Sequence, residues 1–299
     1  MCCSIEPASF SNTLIYAAEA QHPSGKTVHV IGYQNKATGH LSGPNAMILP
    51  IPCEADSISS QNLVDASSFK GILESYDEAV DRLKPRRRSR GLDDDSLGET
   101  YGAAVASSYE VFDSGSYTVA LVRKIGSAKE ALSQVPEEKR PEIPTRFLIA
   151  LGKLYPDWPL AFCCFNGNLG DPEPLFWWFE PKFPSVLFAP AIDAHDGNPP
   201  NPENIAVSRD HTLVFATHDS KRSQDRLLQE AIEDTVPGKH QWMFHSRIVG
   251  THVKRVTDNG DFSLPLSVFH DEAVPSYLPR IDITPPPKLY PTLWERISE

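Results

Sequence analysis

Proline sets the first limit on what this chain can become. It occurs 27 times in 299 residues, about 9% where roughly 5% is usual. Each ring fixes φ and removes a backbone donor, so long helical bundles and coiled coils are excluded. What lies between the prolines is mostly short. Apolar residues make up 40% of the chain and charged residues 22%, enough for the sizeable core of an ordinary globular protein. With 39 acidic against 28 basic residues the net charge is −11, which opposes general nucleic-acid binding, because phosphate contacts need clustered cations.

The short segments read mainly as strands. Thr13 to Ala17, Thr27 to Tyr33, Ala46 to Ile51, Tyr117 to Val122 and Leu160 to Phe165 are rich in β-branched and aromatic residues. So are Leu175 to Phe179, Val186 to Phe188, His211 to Ala216, Trp242 to Val249 and Phe262 to Val268. Helical spacing joins Phe69, Ile72, Leu73, Tyr76, Val80 and Leu83 behind Ser67 or Ser68 as caps. Ser127 with Glu130 reads as a capping box, Thr145 as the cap of a third helix, and Leu227 to Ile232 as the stripe of a fourth. This mixture predicts an α+β fold with mostly antiparallel sheet, suited to two stacked sheets flanked by helices.

One α+β domain is expected over 1–274, carrying a charged, mobile loop at 84–100. In that loop Arg86-Arg87-Arg88 stands close to Asp93-Asp94-Asp95. A proline-rich, extended C-terminal arm is expected over 275–299, pinned by Leu289, Tyr290 and Trp294. Residues 1–20 lack the basic and apolar regions of a secretory leader. The longest apolar runs fall far short of the ~20 residues that span a bilayer. Five cysteines, an odd number, fit free thiols in a reducing compartment, so a cytoplasmic protein without a membrane partner is expected.

The N-terminus carries the first candidate chemistry. Removal of Met1 ahead of a small residue would leave Cys2 with a thiol and a free α-amine on one residue. The amine, with a reference pKa near 8, can act as the base for that thiol. Further on, Phe162-Cys163-Cys164-Phe165-Asn166-Gly167-Asn168-Leu169 ends an apolar strand with Asn-Gly. This segment resembles the Asn-Gly element of class II glutamine amidotransferases, members of the N-terminal nucleophile hydrolases. The resemblance implies Cys2 as nucleophile, with the Asn166 amide and the Gly167 N–H holding the oxyanion. It implies an amide-cleaving or acyl-transferring enzyme acting on a small-molecule or peptide amide. The chain departs from that family in having Cys3 after the nucleophile, no Gly-His-Thr-Arg-like motif and a longer separation from Cys2 to Asn166. Glutamine is therefore not implied as the substrate. Asn166-Gly167 also reads as an ordinary hairpin turn, and Cys163 and Cys164 as small core residues.

A second constellation is rich in acids and imidazoles. Asp193, His195 and Asp196 are followed by Asp210-His211 and His218-Asp219. Asp193 with His195 suits general acid–base work. Alternatively Asp193, His195, Asp196, His211 and His218 include the ligands of a divalent ion in a metal-dependent hydrolase. Turn chemistry at loop starts competes with both readings. The spacing matches no defined metal motif, and Gly-x-Gly-x-x-Gly, Walker A and Gly-x-Ser-x-Gly patterns are absent, so no cofactor is expected. A third reading remains open, a β-rich binding module without chemistry of its own.

Overall fold

The computed structural model describes residues 2–37, 43–84, 107–167, 172–201 and 206–281. The chain begins with β1 (Cys2–Cys3), β2 (Phe10–Gln21), β3 (Thr27–Ala37), β4 (Pro44–Pro50) and β5 (Leu63–Val64), then α1 (Ile72–Leu83). The hairpin of β6 (Tyr109–Ser114) and β7 (Tyr117–Val122) precedes α2 (Ala128–Ser133) and α3 (Thr145–Leu154). Next come β8 (Leu160–Asn166), β9 (Leu175–Phe179), β10 (Val186–Ala189), β11 (Asp193–Ala194), β12 (Ala206–Ser208) and β13 (His211–Thr217). Helix α4 (Arg226–Thr235) leads into β14 (Ile248–Val253), β15 (Val256–Asp258) and β16 (Phe262–Pro265).

The fold is α+β with mostly antiparallel sheet. Six strands pair in the order β14-β13-β2-β3-β9-β5, and four in the order β4-β8-β7-β6. Among the described strand pairs, β13–β2 and β1–β11 run parallel. Period-two alternation divides the six-stranded sheet between two cores. Ile15, Ala17, Ile31, Tyr33, Leu213 and Phe215 point into a core shared with the four-stranded sheet. Leu14, Tyr16, Val28, Val30, Val214 and Ala216 point the other way, against Tyr76 and Val80 of α1 and Leu228 and Ile232 of α4. In the four-stranded sheet β4, β7 and β8 are buried on both faces, which is why Leu160 to Phe165 read as an uninterrupted apolar run.

Helix starts differ from their sequence signals. Helix α1 opens at Ile72 behind Gly71, with no side-chain cap from Ser67 or Ser68. Ser127 makes no side-chain cap on α2; its hydroxyl is turned instead toward the carbonyl of Lys124 (2.8 Å), with that of Ser108 at 3.2 Å as the alternative acceptor. Thr145 is the first residue of α3 rather than its cap. The side-chain cap on α4 is Asp225, whose carboxylate accepts the Leu228 N–H at 2.9 Å. Residues Gly238–Met243 coil into a 3-10 turn, so the expected strand from Trp242 begins only at Ile248. Phe262 to Val268 likewise splits into β16 and a second 3-10 turn.

Most of the charged loop and of the C-terminal arm lies outside the described residues. The arm's described beginning lies along β14: Gly250 N–H donates to the Ser276 carbonyl and Leu278 N–H to the Gly250 carbonyl, both at 2.9 Å. No described helix is long and apolar enough to cross a membrane.

Candidate functional site

The residues around Asp193 are fixed from beneath by a buried polar platform. Asp261 is fully buried, and its Oδ1 accepts the N–H groups of Ala191 (2.7 Å) and Ile192 (2.9 Å). Its Oδ2 accepts the Tyr155 hydroxyl at 2.7 Å. Burial raises the Asp261 pKa, and these three donors act against that rise. Asn259 grips Asp193 by both main-chain groups, accepting its N–H at 2.8 Å and donating to its carbonyl at 2.7 Å. The Arg209 guanidinium donates to the carbonyls of Ala191, Asp258 and Gly260, tying the two segments together.

On this platform lies the N-terminal strand. Cys2 pairs in parallel with Asp193, and Cys3 with Ala194. Ser4 N–H donates to the Ala194 carbonyl at 3.0 Å, and Ala8 N–H to the His195 carbonyl at 2.9 Å. From the other side Asn45 holds Glu6, accepting its N–H at 3.0 Å and donating to its carbonyl at 3.1 Å. Asp193 Oδ1 stands 2.6 Å from His195 Nε2, and both side chains are largely buried. Phe10 packs on the imidazole with ring centroids 5.4 Å apart. The carboxylate thus orients an imidazole beside the first strand, the arrangement that general acid–base chemistry requires.

The two predicted oxyanion donors lie elsewhere. Asn166 pairs with Pro44, whereas the bridge from Ser4 to Met47 puts the Cys2 backbone two residues further, level with Leu49. Five residues of β4 separate these levels, roughly 17 Å along the strand. The Gly167 N–H is already donated to the Gly43 carbonyl at 3.0 Å, extending the β4–β8 ladder. Asn166 and Gly167 therefore serve strand pairing. Cys3, Cys53, Cys163 and Cys164 are all buried free thiols. Burial pushes Cys53 and Cys164 up to about 12 and Cys163 also upward, the reverse of an activated thiolate.

The proposed metal set is not brought together. Asp193 and His195 pair with each other, while the Asp196 carboxylate accepts the backbone and side-chain N–H groups of Asn198 (3.0 and 2.7 Å), a turn interaction. His211 and His218 flank β13 at opposite ends, roughly 20 Å apart. His218 instead joins Glu19 and Asp219, with one potential ligand atom from each lying within 4.8 Å of the others.

Glu19, Asn259 and Asp261 were not singled out by the sequence patterns. Glu19 carried a signal: a carboxylate inside the apolar run Ala17-Ala18-Glu19-Ala20 of a strand. Asn259 and Asp261 flank a glycine and look like any turn. Trp177 is buried in the core, and Trp178 stacks on His22 at 4.4 Å beside Trp242.

No protein-family model matches the chain, and no curated protein matches it. Among solved structures, that of baculovirus P35 is similar to it over 88% of this chain and 99% of that one, at 13% sequence identity and a TM-score of 0.46. A likeness that loose carries no argument about activity.

Proposed function

We propose that the N-terminal strand is the reactive part of a thiol acyl-transfer site acting on an amide substrate. In this reading Met1 is removed, Cys2 is the nucleophile, His195 is the acid–base group and Asp193 orients it. The observation that carries the reading is the parallel pairing of Cys2 with Asp193, the residue whose carboxylate holds His195 at 2.6 Å. Neighbouring strands lie about 4.8 Å apart, so the Cys2 backbone is one strand spacing from that of Asp193, with His195 two residues further along the same segment. The same pairing revises the choice of base. A carboxylate beside the N-terminus favours the ammonium form of a free α-amine, which leaves the imidazole to accept the thiol proton.

The chemistry balances with these groups. The Cys2 proton passes to His195, and the thiolate adds to the amide carbonyl carbon. The C–N bond then breaks, with His195 returning the proton to the departing amine. The resulting thioester passes its acyl group to water or to an amine.

The test needs no known substrate. Intact mass of the purified chain reports loss of Met1, and alkylation by iodoacetamide as a function of pH reports thiolate formation. The expected result is one fast-labelled cysteine, Cys2, whose rate at neutral pH falls about tenfold or more in His195→Ala. Retention of Met1, or an unchanged rate–pH profile in His195→Ala, removes the reading and leaves a binding module.

A further inference from the structure

Beyond the N-terminal strand, three large apolar side chains stand exposed among the described residues: Ile149, Leu227 and Val256, at 56%, 59% and 65%. The first two sit on helices of equal length, ten residues each, that carry opposite charge. Helix α3 buries Phe147, Leu151 and Leu154 in the core shared by the two large sheets, yet the neighbouring strip of its surface is still apolar. There Leu148 and Ile149 face Ile125 across a groove of about 290 Å³. Cations stand on both of its lips, Lys129 from α2 on one and Lys153 from α3 on the other. Arg146, seven residues before Lys153, shares that face of the helix. Lys129 Nζ donates to Thr145 Oγ1 at 2.8 Å, and none of the three cations meets a carboxylate among the described residues.

Helix α4 carries the complement. Its buried face, Leu228 and Ile232, packs on the far side of the six-stranded sheet. On its outer face the spacing i, i+3, i+4, i+7 puts Leu227, Glu230, Ala231 and Asp234 in one stripe. Glu230 and Asp234 are exposed, and neither meets a cation among the described residues. An apolar side chain flanked by carboxylates thus stands on one helix, and an apolar groove flanked by cations on another. Each spans about 15 Å. The six-stranded sheet divides the two cores, so α3 and α4 lie on opposite sides of it and a chain's own α4 cannot reach its own groove. A net charge of −11 makes two copies repel at a distance, so a contact between them has to be complementary locally. These two surfaces supply that complementarity.

We propose that this chain associates with itself head to tail, α4 of one copy lying in the α3 groove of the next. Leu227 enters the groove against Leu148 and Ile149, and Glu230 and Asp234 meet Lys129, Arg146 and Lys153 at its lips. A contact two to three helical turns long is small beside the ~1,600 Å² of a standard interface, so assembly belongs to micromolar concentrations and above. Each end copy keeps one free groove or one free α4, so the contact does not stop at two copies unless a ring closes.

The experiment is sedimentation velocity of the full chain from about 1 to about 200 µM. The expected result is a sedimentation coefficient that climbs with concentration, and climbs less at about 1 M NaCl, where the screening length is about 3 Å. Leu227→Ser and Ile149→Ser change exposed side chains, so both variants should fold, which far-UV circular dichroism verifies. Each should raise the concentration of half-association at least about tenfold. Reversing the groove cations, Arg146→Glu with Lys153→Glu, should abolish association, and so should Glu230→Lys with Asp234→Lys on the helix. The chain carrying all four charge reversals should associate again, because its groove and helix are complementary once more. That restoration identifies α4 as the occupant. A chain that stays monomeric at about 200 µM, or association unmoved by Leu227→Ser and Ile149→Ser, overturns the contact. Loss without restoration in the quadruple variant overturns it too, and leaves the groove to an acidic segment of another protein.

Discussion

Asp261 shows how much of this molecule rests on single polar side chains. Three donors end on its carboxylate, the N–H groups of Ala191 and Ile192 and the Tyr155 hydroxyl, and none of them reaches water. Asp261→Ala would orphan all three and should cost about 3 kcal/mol or more in urea unfolding. Asp261→Asn keeps an acceptor for the two N–H groups and should cost clearly less. Equal losses in the two variants would mean that packing, not donor satisfaction, sets the value of the site. Asn259→Ala acts one residue closer to the candidate chemistry, releasing Asp193 from both of its main-chain bonds. It should lower the alkylation rate of Cys2 at neutral pH while leaving the fold, judged by circular dichroism, intact. At this scale the sequence was only partly legible. Asp193 and His195 could be named as a pair because a carboxylate and an imidazole two residues apart at a strand end are the residue types of acid–base work. Their neighbour Cys2 could not be tied to them, since nothing local encodes a contact across 191 positions. Asn166-Gly167 had the right chemistry and the wrong neighbourhood, and only strand register reveals that.

Among the elements, α1 presses hardest on the sheet beneath it. A Cβ on Gly250 of β14 would come within 2.5 Å of Val80 Cγ2 and 3.0 Å of the Leu213 carbonyl oxygen. Gly250→Ala should therefore lift α1 and destabilise the protein by about 1–3 kcal/mol, read as a lower urea midpoint. Adding Val80→Ala should recover part of that loss if the helix contact is responsible. A double variant no better than the sum of the two single losses would exclude the steric account. The long strands are visible in the sequence because both faces are buried, so Leu14, Ile15, Tyr16 and Ala17, which alternate between two cores, form a continuous run of apolar and β-forming residues. Helix caps were less legible. Ser127 and Thr145 are good capping residues by type, yet a nearby carbonyl claims the first and the second is the opening residue of its helix. The run from Trp242 looks like a strand by composition, but Trp242 belongs to a 3-10 turn that sets its ring edge-on against His22. Tertiary packing overrides propensity there.

Across the whole molecule, acid should act through two buried histidines before it reaches the carboxylates. His29 and His245 sit in separate places, and burial pushes each down to about 4 from an ordinary 6.5. Between those values the unfolded chain binds more protons than the folded one, so stability falls as pH drops. The loss begins near pH 6.5 and levels off near pH 4, on the order of 3 kcal/mol for each ring. Together they rival the 5–15 kcal/mol that usually holds a domain. The carboxylates act lower. Glu173, held down to about 2 chiefly by the Ser116 hydroxyl, contributes stability above pH 4.5 that is lost only as pH falls through 2. Urea midpoints measured from pH 7.5 to 4 should consequently drop steeply in a window where few carboxylates titrate. The pair of changes His29→Gln and His245→Gln should flatten that slope, because glutamine keeps a donor without gaining a proton. The two rings would be excluded as the source if the slope between pH 6.5 and 4.5 survives both substitutions unchanged.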